Sequence, residues 1–513
     1  MKVYPVYLLF LFFGFTVAKN SYVLVVNQGM TAQQKAGKNI YTKGIGTTNV
    51  KITAEMSGVK VSATIMPCIN CHKADGTGNP EGGIVPSNIT WAELTKNYGG
   101  KRQDNKKRPA YDKTTLRKVI TTGIDSGENQ LHTTMPKYNM SREDLDNLIE
   151  YIKIIGTDKD VEYSDSSIQI GVVLPEKNTI SGGKNEAIKN LVNAYCSFIN
   201  NQGGIYNRKI EPSFLENKEN FTHDEFFMLM GFGDKSIAKK ANLIEIPALL
   251  SFSKERVNSG FKNQYAFYVY PSLTAQSVSL IDFYKQQKYQ KTTSNTTIVY
   301  SKDQIRTGMA KEVADYYHKQ FGLHPNMLLI SQNTIEEIAK NKSISSDGLL
   351  IFIGPNVLGN ELLNAFYKIK KTPFVLIPGS VSGVNLFKIP ATFQNKVFIG
   401  YPTWVSERTY EGIQTYQNLN DNYKLNSSWK QGQLDMLSML LTTEECLKRI
   451  GKNLSRPNFK ETMEGLFEYS NGLTPSITYN LNKRVGNSNI YIIGFDTEKK
   501  KMKLITTINS KEK

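Results

Sequence analysis

The chain has little cysteine, histidine or tryptophan for its length: four, five and three residues of 513. It contains no Walker-type phosphate loop, no His-Glu-x-x-His pair and no nucleophile elbow, and so few histidines give hydrolytic catalysis little support. Hydrophobic residues make up 40% and charged residues 21%, the balance of a globular protein that buries real cores. This length predicts two or three domains.

Long apolar runs are also missing, except near the N-terminus. Residues 6–15 are strongly apolar and lead into Thr16-Val17-Ala18, which predicts a secretory signal peptide over residues 1–18. An uncleaved anchor is the alternative, but the run is shorter than the ~20 residues that span a bilayer. We expect an exported, periplasmic protein with no membrane span once the signal is removed.

Positive charge is in excess, with a formal net charge of +17. The excess is spread along the chain, and an exported protein rarely meets nucleic acid, so no nucleic-acid partner is predicted. A local cluster at 101–108 contains Lys101, Arg102, Lys106, Lys107 and Arg108. It could steer an acidic redox partner or form a solvated loop.

One motif is highly specific. Cys68-Ile69-Asn70-Cys71-His72 places two thiols one helical turn apart and a histidine directly after them. Two such thiols can add to the two vinyl groups of haem while the histidine binds the iron, so the motif predicts one covalent haem c. A disulfide, a redox Cys-x-x-Cys pair and half of a zinc site are the alternatives.

A second iron ligand is predicted in the loop that holds Met135-Pro136. Ser141 then provides a helix N-cap, and apolar residues follow at helical spacing up to Gly156. A methionine that precedes a proline in a loop suits axial ligation, although His132 and Met140 are close alternatives.

These features resemble the class I cytochrome c family. The resemblance implies a mainly α-helical domain over residues 19–157. It further implies thioether bonds at Cys68 and Cys71, His72 as the proximal ligand and Met135 as the distal ligand.

The same resemblance implies a first helix around residues 37–41 that packs on the last helix near Tyr151. Residues 42–67 form an insertion between the first helix and the haem motif that a minimal member of the family lacks. Their alternating pattern predicts two short strands joined at Ser57-Gly58. Residues 79–83 are expected to form the glycine-containing turn after the haem motif.

A polar and acidic segment at 158–167 predicts a linker that few contacts cross. Beyond it, apolar strands alternate with helices, which predicts parallel sheets covered on both faces. The predicted strands begin at Ile168, Ile298, Leu349 and Phe374, and the predicted helices cover about 184–200, 308–321 and 362–370.

The turn Asn200-Asn201-Gln202-Gly203-Gly204-Ile205 resembles the type I periplasmic binding proteins, specifically the branched-chain amino-acid receptor group. The resemblance implies a two-lobed α/β domain over residues 168–513 that closes on a small molecule in an interlobe cleft. The residues that it places in this cleft are Ser251, Ser253, Tyr270 and Ser272.

Those four residues could equally be ordinary loop residues, and a doubly wound domain without a binding role is a further alternative. The stretch 378–385 lacks the carboxylate that such receptors offer to an ammonium group, which counts against an ordinary amino-acid ligand. Cys196 and Cys446 are expected to be buried free thiols, with a disulfide left open.

The whole pattern predicts a multidomain periplasmic electron carrier with a fused ligand- or partner-binding domain. Such a protein is an electron carrier or redox subunit rather than a stand-alone enzyme, and its redox partner would be a periplasmic dehydrogenase or a terminal acceptor. The main alternative is a solute receptor of an ABC-type importer with an accessory haem. A third is an oxidation-system subunit whose α/β part is only a scaffold.

Overall fold

A computed structural model describes residues 29–78, 85–96, 107–175, 182–215, 221–253, 257, 262–287, 295–380, 388–496, 499–510 and 512. The predicted signal peptide, the turn at 79–83 and most of the basic cluster therefore lie outside the described residues. None of the described helices is both long and apolar enough to cross a membrane.

The N-terminal part combines short helices with a small antiparallel sheet in the order β2-β1-β3. Its elements are α1 Ala32–Lys43, β1 Thr53–Met56, β2 Val59–Ser62, α2 Ile69–His72, α3 Trp91–Leu94, α4 Lys113–Thr122, β3 Lys137–Asn139 and α5 Arg142–Ile152. The predicted hairpin is confirmed, because β1 pairs with β2 and the turn residues Ser57 and Gly58 both have positive φ. Strand β3 was not predicted and pairs with the other side of β1.

Helices α1 and α5 pack as the sequence predicts. A Cβ atom on Gly37 would lie 2.0 Å from the Asn147 carbonyl oxygen, so only glycine allows this approach. The rings of Tyr41 and Tyr151 meet one turn further on, with centroids 5.5 Å apart. Both tyrosines are fully buried.

The second part contains two sheets. The first is parallel, in the order β5-β4-β6-β7-β8. Its strands are β4 Ser167–Val173, β5 Lys209–Leu215, β6 Met228–Gly231, β7 Ala248–Leu250 and β8 Ala266–Tyr268, and its helices are α6 Gly182–Asn201, α7 Lys235–Leu243, α12 Tyr410–Tyr423, α13 Lys430–Ile450 and α14 Arg456–Glu464. The Gly203-Gly204 turn after α6 has the positive φ values that glycine favours.

The second sheet has the order β10-β9-β11-β12-β13-β14-β15. It comprises β9 Thr296–Tyr300, β10 Asn326–Leu329, β11 Leu349–Ile353, β12 Phe374–Pro378, β13 Val397–Tyr401, β14 Asn489–Asp496 and β15 Lys501–Asn509, with α8 Leu273–Gln286, α9 Gln304–Phe321, α10 Ile335–Lys340 and α11 Asn356–Lys368. The predicted parallel pairing holds from β10 to β13, and the sheet departs from it at one edge, where β14 and β15 run antiparallel. They are joined by a short connection, which permits an antiparallel pair but no parallel crossover.

The chain passes between the two sheets three times, and the passages are hydrogen-bonded to one another. The Tyr268 amide donates to the Arg484 carbonyl at 2.8 Å, and the Asn487 amide donates to the Val269 carbonyl at 3.1 Å. The Asn487 side-chain amide donates to the Pro402 carbonyl at 3.0 Å. We call this region the crossover; it comprises residues 268–272, 401–409 and 484–490.

The segment predicted to be a linker is packed rather than loose. Asp160, Val161 and Ser164 are buried, and the Arg208 guanidinium donates to the Ser164 carbonyl at 2.8 Å. The acidic side chains of this segment bind α1 instead of facing solvent, and an ion pair between Lys35 and Asp224 connects the parts on its two sides. Lys38 of α1 contacts two of these acidic side chains.

Candidate haem site

The Cys-x-x-Cys-His motif forms a single helical turn. The amides of Cys71 and His72 both donate to the Cys68 carbonyl, at 3.3 and 3.0 Å. Cys68 is partly buried, Cys71 is exposed, and neither is in a disulfide. Two thiols thus lie one turn apart, which is the spacing that attachment to two neighbouring vinyl groups requires.

His72 is held in one orientation by a backbone carbonyl. Its Nδ1 lies 2.9 Å from the Ser87 carbonyl oxygen, and the residue is 7% exposed. A carbonyl only accepts hydrogen bonds, so Nδ1 carries the proton and Nε2 keeps its lone pair. Burial lowers the pKa of His72, which favours the neutral ring that binds metals.

The loop after the motif brings the Ser87 carbonyl to this position. The Gly78 amide donates to the His72 carbonyl at 3.0 Å. A Cβ atom on Gly78 would lie 2.4 Å from the Pro86 carbonyl oxygen, and its φ is +89°, so this position suits only glycine. On the other side of the turn, the Tyr41 hydroxyl donates to the Lys73 carbonyl at 2.5 Å.

The loop of Met135 packs near the motif. Met135 is partly buried and packs on the same hydrophobic core as Cys68 and Ile69. Three residues on, the Tyr138 hydroxyl donates to the Met66 carbonyl at 2.7 Å, which joins this loop to the segment just before Cys68.

The neighbouring alternatives to Met135 differ in their surroundings. His132 is exposed, and its Nδ1 lies 2.9 Å from the Thr134 hydroxyl. Met140 also packs on this core, beyond β3. Met135 as the distal ligand stays a prediction.

These residues fit a haem in chemistry as well as in spacing. They provide a neutral imidazole with a free Nε2 and two thiols one turn apart. Partly buried apolar side chains pack on the same core as Cys68, among them Met66, Ile69, Ile89, Trp91, Leu131 and Met135. Burial raises the pKa of the Cys68 thiol to about 12.

Residues 57–155 match the family model of cytochrome c. This part of the chain is a cytochrome c domain. The match includes Cys68, Cys71, His72 and Met135, and it begins after α1.

The rest of the chain has the fold of the substrate-binding proteins of ABC transporters. A fatty acid substrate-binding protein from Thermomonospora curvata superposes with a TM-score of 0.52 at 12% identity, over 68% of this chain and 94% of its own. A possible leucine/isoleucine/valine-binding protein from Rhodopirellula baltica SH 1 gives 0.51 at 10% identity, over 67% and 97%. A branched-chain amino-acid transporter protein from Thermus thermophilus gives 0.50 at 10%, over 67% and 97%. No curated protein matches the chain in sequence.

The four predicted cleft residues lie at or beside the crossover, and all are buried. Ser253 hydrogen-bonds the Tyr268 phenol, Tyr270 donates to Asp435 at 2.9 Å, and the Ser272 hydroxyl caps α8 by accepting from the Ala275 amide. Ser251 is 1% exposed, and its hydroxyl makes no hydrogen bond within the described part of the chain. Their role in ligand binding stays a prediction.

Sequence reasoning missed several polar residues here. Asp435 of α13 accepts from Tyr270 and, at 2.8 Å, from Gln431. Burial raises the pKa of Asp435 to about 6. No sequence motif connects Tyr270 with Asp435, because the two residues are 165 positions apart and come together only in the folded chain. The Ser87 carbonyl was missed for a related reason, since every residue has a carbonyl.

Of the basic cluster, Arg108 has a structural role. Its guanidinium lies over the Tyr111 ring, 4.4 Å from the centroid, and donates to the carbonyls of Glu93 and Leu94. Cys196 and Cys446 are buried and unpaired, as expected.

Proposed function

We propose that the chain is an exported electron carrier with one covalent haem c and a fused α/β domain that binds a small molecule or a partner protein. The observation that carries the redox role is the orientation of His72, whose Nδ1 is bound to the Ser87 carbonyl. This contact leaves Nε2 free for iron and prevents rotation of the ring.

When bound, a haem supplies reversible one-electron chemistry. Cys68 and Cys71 would attach it covalently, and His72 and Met135 would bind its iron. Ligation by a histidine and a methionine would raise the reduction potential, and the apolar side chains around Ile69 and Trp91 would limit the access of water.

The haem domain and the proposed cleft lie at opposite ends of the first sheet. Asp224, which pairs with Lys35 of α1, precedes β6, whereas Ser251 follows the end of β7. A strand of seven residues such as β4 is roughly 20 Å long. Because of this separation, we favour a role in which the α/β domain positions the cytochrome. A role in which the haem oxidises the bound ligand is less compatible with such a distance.

The redox role is tested on the full-length protein made with c-type haem maturation. We expect the colour to remain with the protein in acid-acetone and a reversible potentiometric titration with a one-electron slope. His72→Gln should lose this titration, whereas His132→Gln, at an exposed position, should keep it. Colour that leaves with the solvent would overturn the proposal.

The second candidate function, a solute receptor of an importer, is favoured by the fold of the α/β part. A thermal-shift screen of small molecules on oxidised and reduced protein separates the two. A ligand that stabilises both forms equally favours the receptor. A ligand whose effect depends on the redox state couples the domain to the haem.

A further inference from the structure

Near the end of the described chain, an acidic side chain is buried at the crossover. Glu512 is 8% exposed. One of its carboxylate oxygens accepts from the Val257 amide at 2.6 Å, and the other accepts from the Ser272 amide at 2.7 Å.

The two amides belong to different α/β units. Val257 lies between β7 and β8 and packs on the core of the first sheet. Ser272 is the N-cap of α8, and α8 packs on β12 and β13 of the second sheet. One carboxylate therefore bridges the two units beside the point where the chain passes between them.

The segment that carries Glu512 is itself fixed to the crossover. The Ser510 amide donates to the Ser488 carbonyl at 2.8 Å, and the Ser488 hydroxyl donates to the Glu512 carbonyl at 2.9 Å. These bonds extend the pairing of β14 with β15 and direct the Glu512 side chain towards α8.

The energetics favour a charged group at this position. The first amides of a helix have no partner within the helix, and the N-terminus of its dipole is positive. Amides that donate to a carboxylate form charge-assisted bonds, which are about twice as strong as neutral ones. Loss of the carboxylate would leave the Ser272 amide buried without this partner, which is costly.

We propose that Glu512 is a carboxylate clasp across the two α/β units. Relative movement of the units requires this carboxylate to leave the Val257 or the Ser272 amide. The position it fills is a binding site for one carboxylate group, and a small carboxylate can take it when Glu512 is removed. The clasp lies outside the cytochrome domain, and its test does not involve the haem.

The test uses the full-length holoprotein and hydrogen exchange of individual segments. In Glu512→Ala, the amides of Val257 and Ser272 should exchange about tenfold faster than in the wild type. In Glu512→Gln, which keeps one acceptor oxygen, the exchange rates of these two amides should lie between those of the wild type and those of Glu512→Ala. The matched control is Glu336→Ala, whose side chain is 77% exposed on α10 and should change neither amide.

Chemical rescue then separates a carboxylate site from a general loss of packing. Sodium acetate should restore slow exchange at Val257 and Ser272 in Glu512→Ala, whereas sodium chloride at the same ionic strength should not. The wild type should respond to neither salt. Unchanged exchange in Glu512→Ala, or equal effects of acetate and chloride, would overturn the proposal.

Discussion

The ammonium group of Lys38 lies 2.8 Å from a carboxylate oxygen of Glu162. The same ammonium lies 2.8 Å from Asp160, whose other carboxylate oxygen accepts from the Tyr151 hydroxyl. Lys38 is on the first helix of the cytochrome part, and Glu162 is 4.0 Å from Arg456 of α14. This cluster therefore joins the haem domain to the first α/β unit through charges that are largely shielded from solvent.

Lys38→Met should destabilise the protein strongly. Removing the cation from a buried cluster leaves two carboxylates without their partner, which typically costs about 3–5 kcal/mol. Urea unfolding of the holoprotein measures the change. Lys43→Met, at an exposed position of the same helix, is the control and should have little effect.

The triple variant Lys38→Met, Asp160→Asn, Glu162→Gln should recover part of that loss, because the two buried carboxylates are no longer charged, while Arg456 loses its contact with Glu162. A triple variant as unstable as the single one would contradict the electrostatic explanation and point to packing alone.

The cluster also predicts how stability depends on acid. Burial alone would raise the pKa of Glu162, but the charges of Lys38 and Arg456 lower it to about 2. A lowered pKa in the folded state gives stability that is complete above the ordinary value of 4.5 and is lost as pH falls towards 2. The free energy of unfolding should fall by on the order of 3 kcal/mol in this range, and Glu162→Gln should remove this part of the decline. Parallel acid curves for the two proteins would contradict the prediction.

Asp435 should have the opposite dependence. Burial raises its pKa to about 6, above the ordinary 3.8, so the folded state binds the proton more tightly than the unfolded state. Its contribution to stability is present below pH 3.8 and is lost as pH rises through 6. With allowance for the partial exposure of the Asp435 side chain, the free energy of unfolding should fall by about 2 kcal/mol as pH rises through this range.

Asp435→Asn tests this prediction and can still accept from Tyr270. Between pH 4 and 7, the variant should lose less stability than the wild type. Asp421→Asn, at an exposed position of α12, should follow the wild type. Equal losses in all three proteins would show that Asp435 titrates normally.

The distal ligand is tested by spectroscopy. In the oxidised protein, Met135→Ala should abolish the weak near-infrared band of sulfur-to-iron ligation and lower the midpoint potential, because thioether ligation stabilises the reduced state. Met140→Ala is the matched control, since it packs on the same core. Loss of the band in Met140→Ala alone would reassign the ligand.

Local patterns predicted most of the elements and the haem motif. Cys68, Cys71 and His72 are adjacent in sequence, and the approach of Gly37 to α5 followed from the resemblance to a known helix pair. Long-range contacts that the resemblance does not imply could not be predicted. The acids at 160 and 162 suggested a linker, because only the folded chain places Lys38 and Arg456 beside them. Strand β3 was missed because three residues after Pro136 are too short a pattern to show alternation.

The last prediction concerns fragments of the chain. Fragments 19–160 and 19–167 both contain Cys68, Cys71, His72 and Met135, so both should hold haem with the spectrum of the full chain. The longer fragment should be more stable to urea, because Lys38 keeps Glu162 in addition to Asp160. Residues 166–513 should fold without haem, since both of their sheets are complete. If fragment 19–167 takes up no haem, or if its midpoint potential shifts strongly, then the contacts of Lys35 with Asp224 and of Glu162 with Arg456 are required for the haem environment, and the two parts form one integrated unit.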